Sequence, residues 1–336
     1  MSLVPAVLAG SRLSLSRLLT QIENDTPEGQ AALSELFAHT GGAWLVGVTG
    51  APGTGKSSLV NQIAYHYRNP QDGEAKTVGV VAVDPSSPFT GGAVLGDRIR
   101  MGALSGDEGV FIRSMASRGS LGGLAKATSG MAQALDAAGF DIILIETVGA
   151  GQAEVDIAKL AHTTIVVEAP GLGDDVQAIK AGLLEIADIL VVNKADRPGV
   201  ENTERALKNM LQLAHPVKRV FRHHGQAMTV EAEGEEEALW IPPVLRTVAT
   251  EGSGVPELLE AIARHRAHID ETGDLERRVR ARLESELELR LQDAVMARWR
   301  AAVSERDYEK VVEQLLAREL SPSQAAARLL NGKSPK

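Results

Sequence analysis

The sequence has no cysteine. This excludes disulfides, thiolate zinc sites and cysteine nucleophiles. Aromatic residues make up 3% of the chain, too few for a base-stacking platform. Positive charge is also scarce: 35 Lys and Arg against 44 Asp and Glu leave a net charge of −9 and a pI of about 5.5. That balance argues against general attraction to nucleic-acid phosphates. Apolar runs are only strand-length and are broken by Gly, Asp or Glu, so no membrane span is expected. Met1-Ser2-Leu3-Val4-Pro5 has neither the basic start and apolar core of a secretory signal nor the Arg-rich character of a transit peptide. The expectation is therefore a cytoplasmic protein. The close histidine pairs, His223-His224 and His265 with His268, lack carboxylate or thiolate support for zinc and are expected to be solvated.

What the chain does have is a globular composition, with 44% hydrophobic residues and a mean hydropathy of −0.05. Its 336 residues allow one large α/β domain with appendages, or two domains. The densest signal is Gly50-Ala51-Pro52-Gly53-Thr54-Gly55-Lys56-Ser57, followed by Ser58. It lies between the apolar run Trp44–Thr49 and a helical pattern over Ser57–Tyr67, the strand–loop–helix setting of a phosphate-binding P-loop. The glycines let backbone N–H groups turn inward onto a phosphate, and the helix adds its positive dipole end. Lys56 can reach the β- and γ-phosphates, and the Ser57 hydroxyl can ligate Mg²⁺.

Helical periodicity is read over residues 3–38, with Leu13, Leu15, Leu18, Leu19 and Ile22 forming one inward face. A second helix from Pro27 to His39 is expected to turn Leu33, Leu36 and Phe37 inward. Continuous apolar runs then suggest buried parallel strands at Val78–Asp84, Val110–Arg113, Asp141–Glu146, Thr163–Glu168, Ile189–Asn193 and Val244–Val248. Helices are expected at Leu121–Ala138, Gln152–Leu160, Val176–Ala187, Glu201–Ala214 and Val255–His268, while residues 215–238 suit a hairpin or loop. Strand–helix alternation implies a doubly wound, mostly parallel sheet, in which ligands gather at the carboxyl ends of the strands. Beyond Asp270, Val279, Leu283, Leu287, Leu291, Val295 and Trp299 recur every fourth residue. This spacing overshoots each turn by about 40°, so the stripe winds around a long helix and suits a partner subunit. Shorter helices are read over Asp307–Arg318 and Ser321–Leu330. The expected organisation is an N-terminal helical segment (1–40), a nucleotide-binding domain (41–268) and a C-terminal helical dimerisation extension (269–336).

Asn193-Lys194-Ala195-Asp196 follows a strand in the order expected after a P-loop. A carboxylate at Asp196 can accept hydrogen bonds from the N1–H and exocyclic amine of guanine. Adenine would leave it unpaired, which selects GTP over ATP. The Lys194 stem can lie along the base, Asn193 can tie its loop to the P-loop, and Val248-Ala249-Thr250 offers a backbone N–H to the guanine carbonyl. Glu146-Thr147-Val148-Gly149 places an acid where it suits a water-mediated Mg²⁺ contact, and Gly149 can turn its N–H toward a γ-phosphate. Asp84 and Asp97 are further metal-facing candidates, with a cap and a solvated loop acid as the competing readings. The segment from Pro85, the Ser117–Gly123 stretch and the Pro170–Asp175 loop are expected to be mobile. The last two show no obvious general base. The catalytic candidates are Lys56, Asp97 and Glu146, with charge neutralisation by Lys56, backbone N–H groups and Mg²⁺ and attack by an oriented water.

Taken together, the P-loop, Asp84-Pro85-Ser86-Ser87, Gly91-Gly92, Leu95-Gly96-Asp97-Arg98, Arg118–Gly123, Glu146–Gln152 and Asn193–Asp196 resemble the MeaB/ArgK/MMAA family over nearly all of the chain. The resemblance implies a GTPase chaperone that gates cofactor loading and protects an adenosylcobalamin-dependent acyl-CoA mutase, chiefly methylmalonyl-CoA mutase. It also implies homodimers formed through the C-terminal helices. By resemblance, Lys56 and Ser57 become phosphate and Mg²⁺ contacts, Asp97 and Glu146 metal-site acids, and Asp196 the guanine reader. Residues 170–180 would be a switch answering to the mutase. Ser58 and Val248 depart from the family's usual Thr and Ser, and residues 215–238 match it poorly. The rival readings are a GTP-driven metallochaperone and a kinase linked to amino-acid transport.

Overall fold

The computed structural model describes residues 2–85, 104, 106–117, 121–147, 153–171, 185–214, 220–223, 226–229 and 239–331. Asp97 and most of the three loops expected to be mobile lie outside them, as do residues 176–184 of the helix expected at Val176–Ala187. Asp84 is described by its backbone alone, at the carboxyl end of a strand.

Three helices come first: α1 (Val4–Leu8), α2 (Arg12–Glu23) and α3 (Pro27–Leu36). Capping sets their starts. The Ser11 side chain accepts from the Ser14 N–H, and Thr26 accepts from the Gly29 N–H with Pro27 in the first turn. Leu15, Leu18, Leu19 and Ile22 are buried at helical spacing. Leu13 was expected among them but is 64% exposed. It stands two positions before Leu15, about 200° around the helix. Phe37 is likewise turned out, at 54% exposure, because α3 ends at Leu36 and the chain tightens into a 3₁₀ turn over Phe37–His39.

The centre is a seven-stranded sheet, every pairing parallel, built from β1 (Trp44–Thr49), β2 (Val78–Pro85), β3 (Val110–Ser117), β4 (Ile142–Glu146), β5 (Thr163–Glu168), β6 (Ile189–Asn193) and an edge strand, Val244–Thr247. Helices α4 (Lys56–Arg68), α5 (Leu121–Ala137), α6 (Ala153–Leu160) and α7 (Val200–Ala214) alternate with the strands. A hairpin of β7 (Val220–His223) and β8 (Gln226–Thr229) precedes the edge strand, β9. The spatial order is β3-β2-β4-β1-β5-β6-β9, so β1 lies between β4 and β5. Strand alternation divides the core. Leu45, Val81, Ile143 and Ile145 pack with α2, α3, α5 and α6, whereas Val46, Val48, Val80, Leu144 and Ile165 pack with α4 and with α8 (Val255–Glu271). A smaller cluster joins Val166, Leu190 and Val192 to Val200, Leu207 and Leu211 of α7. Gly47 is required inside β1, since a Cβ there would come within 2.6 Å of Ile157 Cγ2 on α6.

A buried polar cluster closes the amino ends of the strands. Asp188, just before β6, accepts from the Thr164 N–H (2.7 Å), Arg278 Nη1 (3.0 Å) and Arg278 Nη2 (2.9 Å). His265 Nε2 lies 3.2 Å from Asp188 Oδ1, and His265 Nδ1 is 2.9 Å from Thr163 Oγ1, which also accepts from Trp44 Nε1. Burial pushes the Asp188 carboxyl up, but the bonds from His265 and Arg278 outweigh it and hold the group below the usual carboxylate value. His265 is fully buried, against the expectation of a solvated histidine. Its helix turns it toward Asp188, a residue 77 positions away in sequence.

The chain forms two compact units, residues 1–278 and 279–336. Helix α9 (Asp274–Ala302) begins in the first and continues into the second. Within the second unit, α10 (Glu305–Leu316) and α11 (Pro322–Asn331) bury Val311 and Ala325, and Trp299 Nε1 donates to the Leu329 carbonyl at 3.3 Å. No α9 residue is buried, and Leu287, Leu291 and Val295 are 55–60% exposed. Among the described residues, no helix is long and apolar enough to cross a membrane.

Candidate functional site

The carboxyl ends of β1, β4, β6 and β9 bring the described motifs to one edge of the sheet, on both sides of the strand where the order reverses. The P-loop leaves β1 through Gly50, Gly53 and Gly55, with φ of +135°, +81° and +94°. These conformations require glycine at Gly50 and Gly55 for a second reason. A Cβ on Gly50 would collide with the Val167 carbonyl, and one on Gly55 would lie 2.5 Å from Asn193 Nδ2. Helix α4 starts at Lys56 directly behind this turn, so its first-turn N–H groups face the loop. Thr54 is fully buried and its Oγ1 donates to the Ala51 carbonyl at 3.0 Å, bracing the loop from within. Pro52 and Gly53 are exposed at its tip.

Lys56 is 6% exposed and folds back over the loop, its Nζ donating to the Gly50 carbonyl at 2.8 Å and the Ala51 carbonyl at 3.0 Å. Beside it, Ser57 Oγ donates to Glu146 Oε1 at 2.6 Å, with both residues buried. Ser58 is half-buried on the next position of α4. A hydroxyl and a carboxylate oxygen in contact beside the lysine are hard oxygen donors, and this donor set fits Mg²⁺.

Asn193 joins three loops. Its Nδ2 donates to the Thr54 carbonyl at 2.8 Å, and its Oδ1 accepts from Thr247 Oγ1 at 3.0 Å and from the Ala249 N–H at 3.1 Å. Lys194 adopts a positive φ of 58° and reaches the Gly53 carbonyl with its Nζ at 2.5 Å. The Ala195 N–H donates to the Thr247 carbonyl at 3.0 Å, which sets the turn that leaves Asp196 exposed. After β9, the Val248 N–H donates to the Ser253 carbonyl at 2.9 Å, closing a short loop that buries Ala249 and exposes Thr250. Thus Gly50–Ser58, Glu146, Asn193–Asp196 and Val248–Thr250 converge, while the Asp84 side chain and Asp97 lie outside the described residues. Thr247 was not singled out from sequence. Its signal, a polar residue ending an edge strand, gains meaning only once Asn193 is beside it.

Similarity to known proteins points the same way. A family model described as methylmalonyl-CoA mutase-associated GTPase MeaB matches residues 15–304. A Pyrococcus horikoshii protein is 45% identical over 328 residues, covering 98% of this chain and 96% of that one. The GTPase ArgK of Escherichia coli is 34% identical over 271 residues, covering 80% of this chain and 76% of its own length. A crystal structure described as an LAO/AO transport system kinase superposes with a TM-score of 0.66 at 26% identity, covering 97% of this chain and 95% of that one.

Proposed function

Because the chain belongs to the MeaB family of GTPases, we propose that it binds GTP at this edge of the sheet and hydrolyses it to GDP and phosphate as a chaperone of an adenosylcobalamin-dependent mutase. The observation that carries the nucleotide reading is the Asn193 clamp, which fixes the base-side loops to the P-loop through bonds of 2.8–3.1 Å. A triphosphate lies along the N–H groups of Gly53–Ser57, with Lys56 exchanging its two loop carbonyls for phosphate oxygens. Asp196 accepts from the guanine N1–H and amine. Ser57 and Glu146 would hold Mg²⁺ with Asp97 and Asp84, and the ion would neutralise charge on the phosphates. Lys56 and the loop amides stabilise the negative charge that develops as an oriented water attacks. Among the described residues no general base faces the phosphate site; in this reading intrinsic turnover is slow and a partner completes the site.

The family description supports methylmalonyl-CoA mutase as the client. In this reading, GTP turnover gates cofactor loading and protects the loaded mutase. The C-terminal extension pairs two copies through α9, where Leu283, Leu287, Leu291 and Val295 are exposed. Residues 1–40 serve as a helical cover for the nucleotide-binding domain, and the protein works in the cytoplasm. Phosphate release from Mg·GTP, measured alone and with purified methylmalonyl-CoA mutase, tests this. Acceleration by the mutase is expected. A rate unaffected by the mutase, together with no co-sedimentation, would remove the chaperone assignment while leaving the GTPase one.

A further inference from the structure

Next to the Ser57–Glu146 pair, two threonines meet with no role yet assigned. Thr49 ends β1 and Thr147 follows β4, and Thr147 Oγ1 lies 3.0 Å from Thr49 Oγ1. Their exposures are 0% and 1%. The Thr147 N–H donates to the Val48 carbonyl at 3.1 Å, which carries the β1–β4 ladder one step beyond its last register pair, Val48 with Glu146.

Alternation places this contact on the opposite face of the sheet from Ser57–Glu146. Val46 and Val48 belong to the layer of α4, while Leu45, Ile143 and Ile145 belong to the layer of α5 and α6. The end of β4 is therefore tied on both faces, to β1 through Thr49 and to α4 through Ser57. One residue past Thr49 the P-loop begins.

Strand packing alone does not call for hydroxyls here. Valine has nearly the same shape and suits a strand at least as well. Burying two hydroxyls to make one bond returns little net stability.

We propose that the Thr49–Thr147 hydroxyl bond is a positioning pair for GTP hydrolysis. It fixes the end of β4 against the start of the P-loop, and so sets the Glu146 carboxylate over Ser57 and the γ-phosphate position. The proposal rests on the GTPase reading above.

The test is Thr147→Val in the full-length protein, with Thr49→Val as the second variant and Thr147→Ser as the conservative one. Single-turnover kcat should fall about tenfold or more in both valine variants, as expected when a catalytic group is displaced by a fraction of an ångström. The Mg²⁺ concentration giving half-maximal turnover should rise with it. GDP affinity measured in EDTA should stay within about twofold, because the loop amides and Asp196 are untouched. Thr147→Ser should restore most of the turnover, and the double valine variant should be no worse than either single one. Unchanged kcat in both valine variants would overturn the proposal. So would a loss of GDP affinity equal to the loss of kcat, which marks general loosening. No turnover by the unsubstituted protein would overturn the GTPase reading itself, an outcome distinct from both.

Discussion

At the level of single residues, the site concentrates its chemistry in a few groups whose roles separate by experiment. Lys56 donates to two P-loop carbonyls, at 2.8 and 3.0 Å. Replacing it with alanine should lower phosphate release from GTP by roughly a hundredfold or more, the usual loss for a transition-state charge contact. Asp196 is exposed at the loop tip, so its replacement should cost no stability. Asp196→Asn should instead erode purine choice. GTP affinity is expected to fall about a hundredfold relative to xanthosine triphosphate, whose ring presents a complementary pattern, as competition binding would reveal. Both expectations could be drawn from sequence because they depend on short, contiguous patterns. Asn193-Lys194-Ala195-Asp196 and the P-loop each fit within eight residues. Thr247 and the Thr49–Thr147 contact were not legible, because neither pair lies close in sequence. Only the register of β4 on β1 and the order β5-β6-β9 bring the members together.

At the level of elements, the strands were the most readable part. Thr163–Glu168 and Ile189–Asn193 begin and end where their apolar runs do, since both faces of a central parallel strand are covered. Helix faces were less so. The face of α2 was legible except at Leu13, because periodicity gives a stripe and not its width. The Asp188–His265–Arg278 cluster shows what local reading misses altogether. His265 and His268, thirteen and ten residues before Arg278, look solvated until Asp188 lies against the first of them. The cluster also makes a pH prediction. The folded-state pKa of Asp188 is depressed, so its stabilisation is present above the unfolded value of 3.8 and is lost as pH falls through the lower folded one. Urea midpoints of the native protein should therefore drop steeply below about pH 4. Asp188→Asn should already be less stable by about 3 kcal/mol at neutral pH, with a shallower acid limb.

At the level of the whole molecule, the proposed pairing of two copies makes the extension the part to perturb. Leu287→Glu with Leu291→Glu changes two residues that are 58% and 55% exposed, so the helix itself should survive. Sedimentation velocity should then report monomers, with GTP turnover per chain retained. Persistent dimers would place the contact elsewhere. The winding of the stripe was readable from its four-residue spacing, but the root of the helix was not. Arg278, which bonds Asp188, ends the first unit eight residues beyond the change in composition near Asp270.

The placement of the indoles has a practical consequence. The chain holds three tryptophans, and Trp44 and Trp240 both lie at an angle against histidines of the first unit while Trp299 lies against Tyr308 in the second. The two parts thus carry separate built-in fluorophores. Comparing emission from the native protein with that from Trp299→Phe would resolve the melting of the extension from that of the sheet, in a sample that needs no dye.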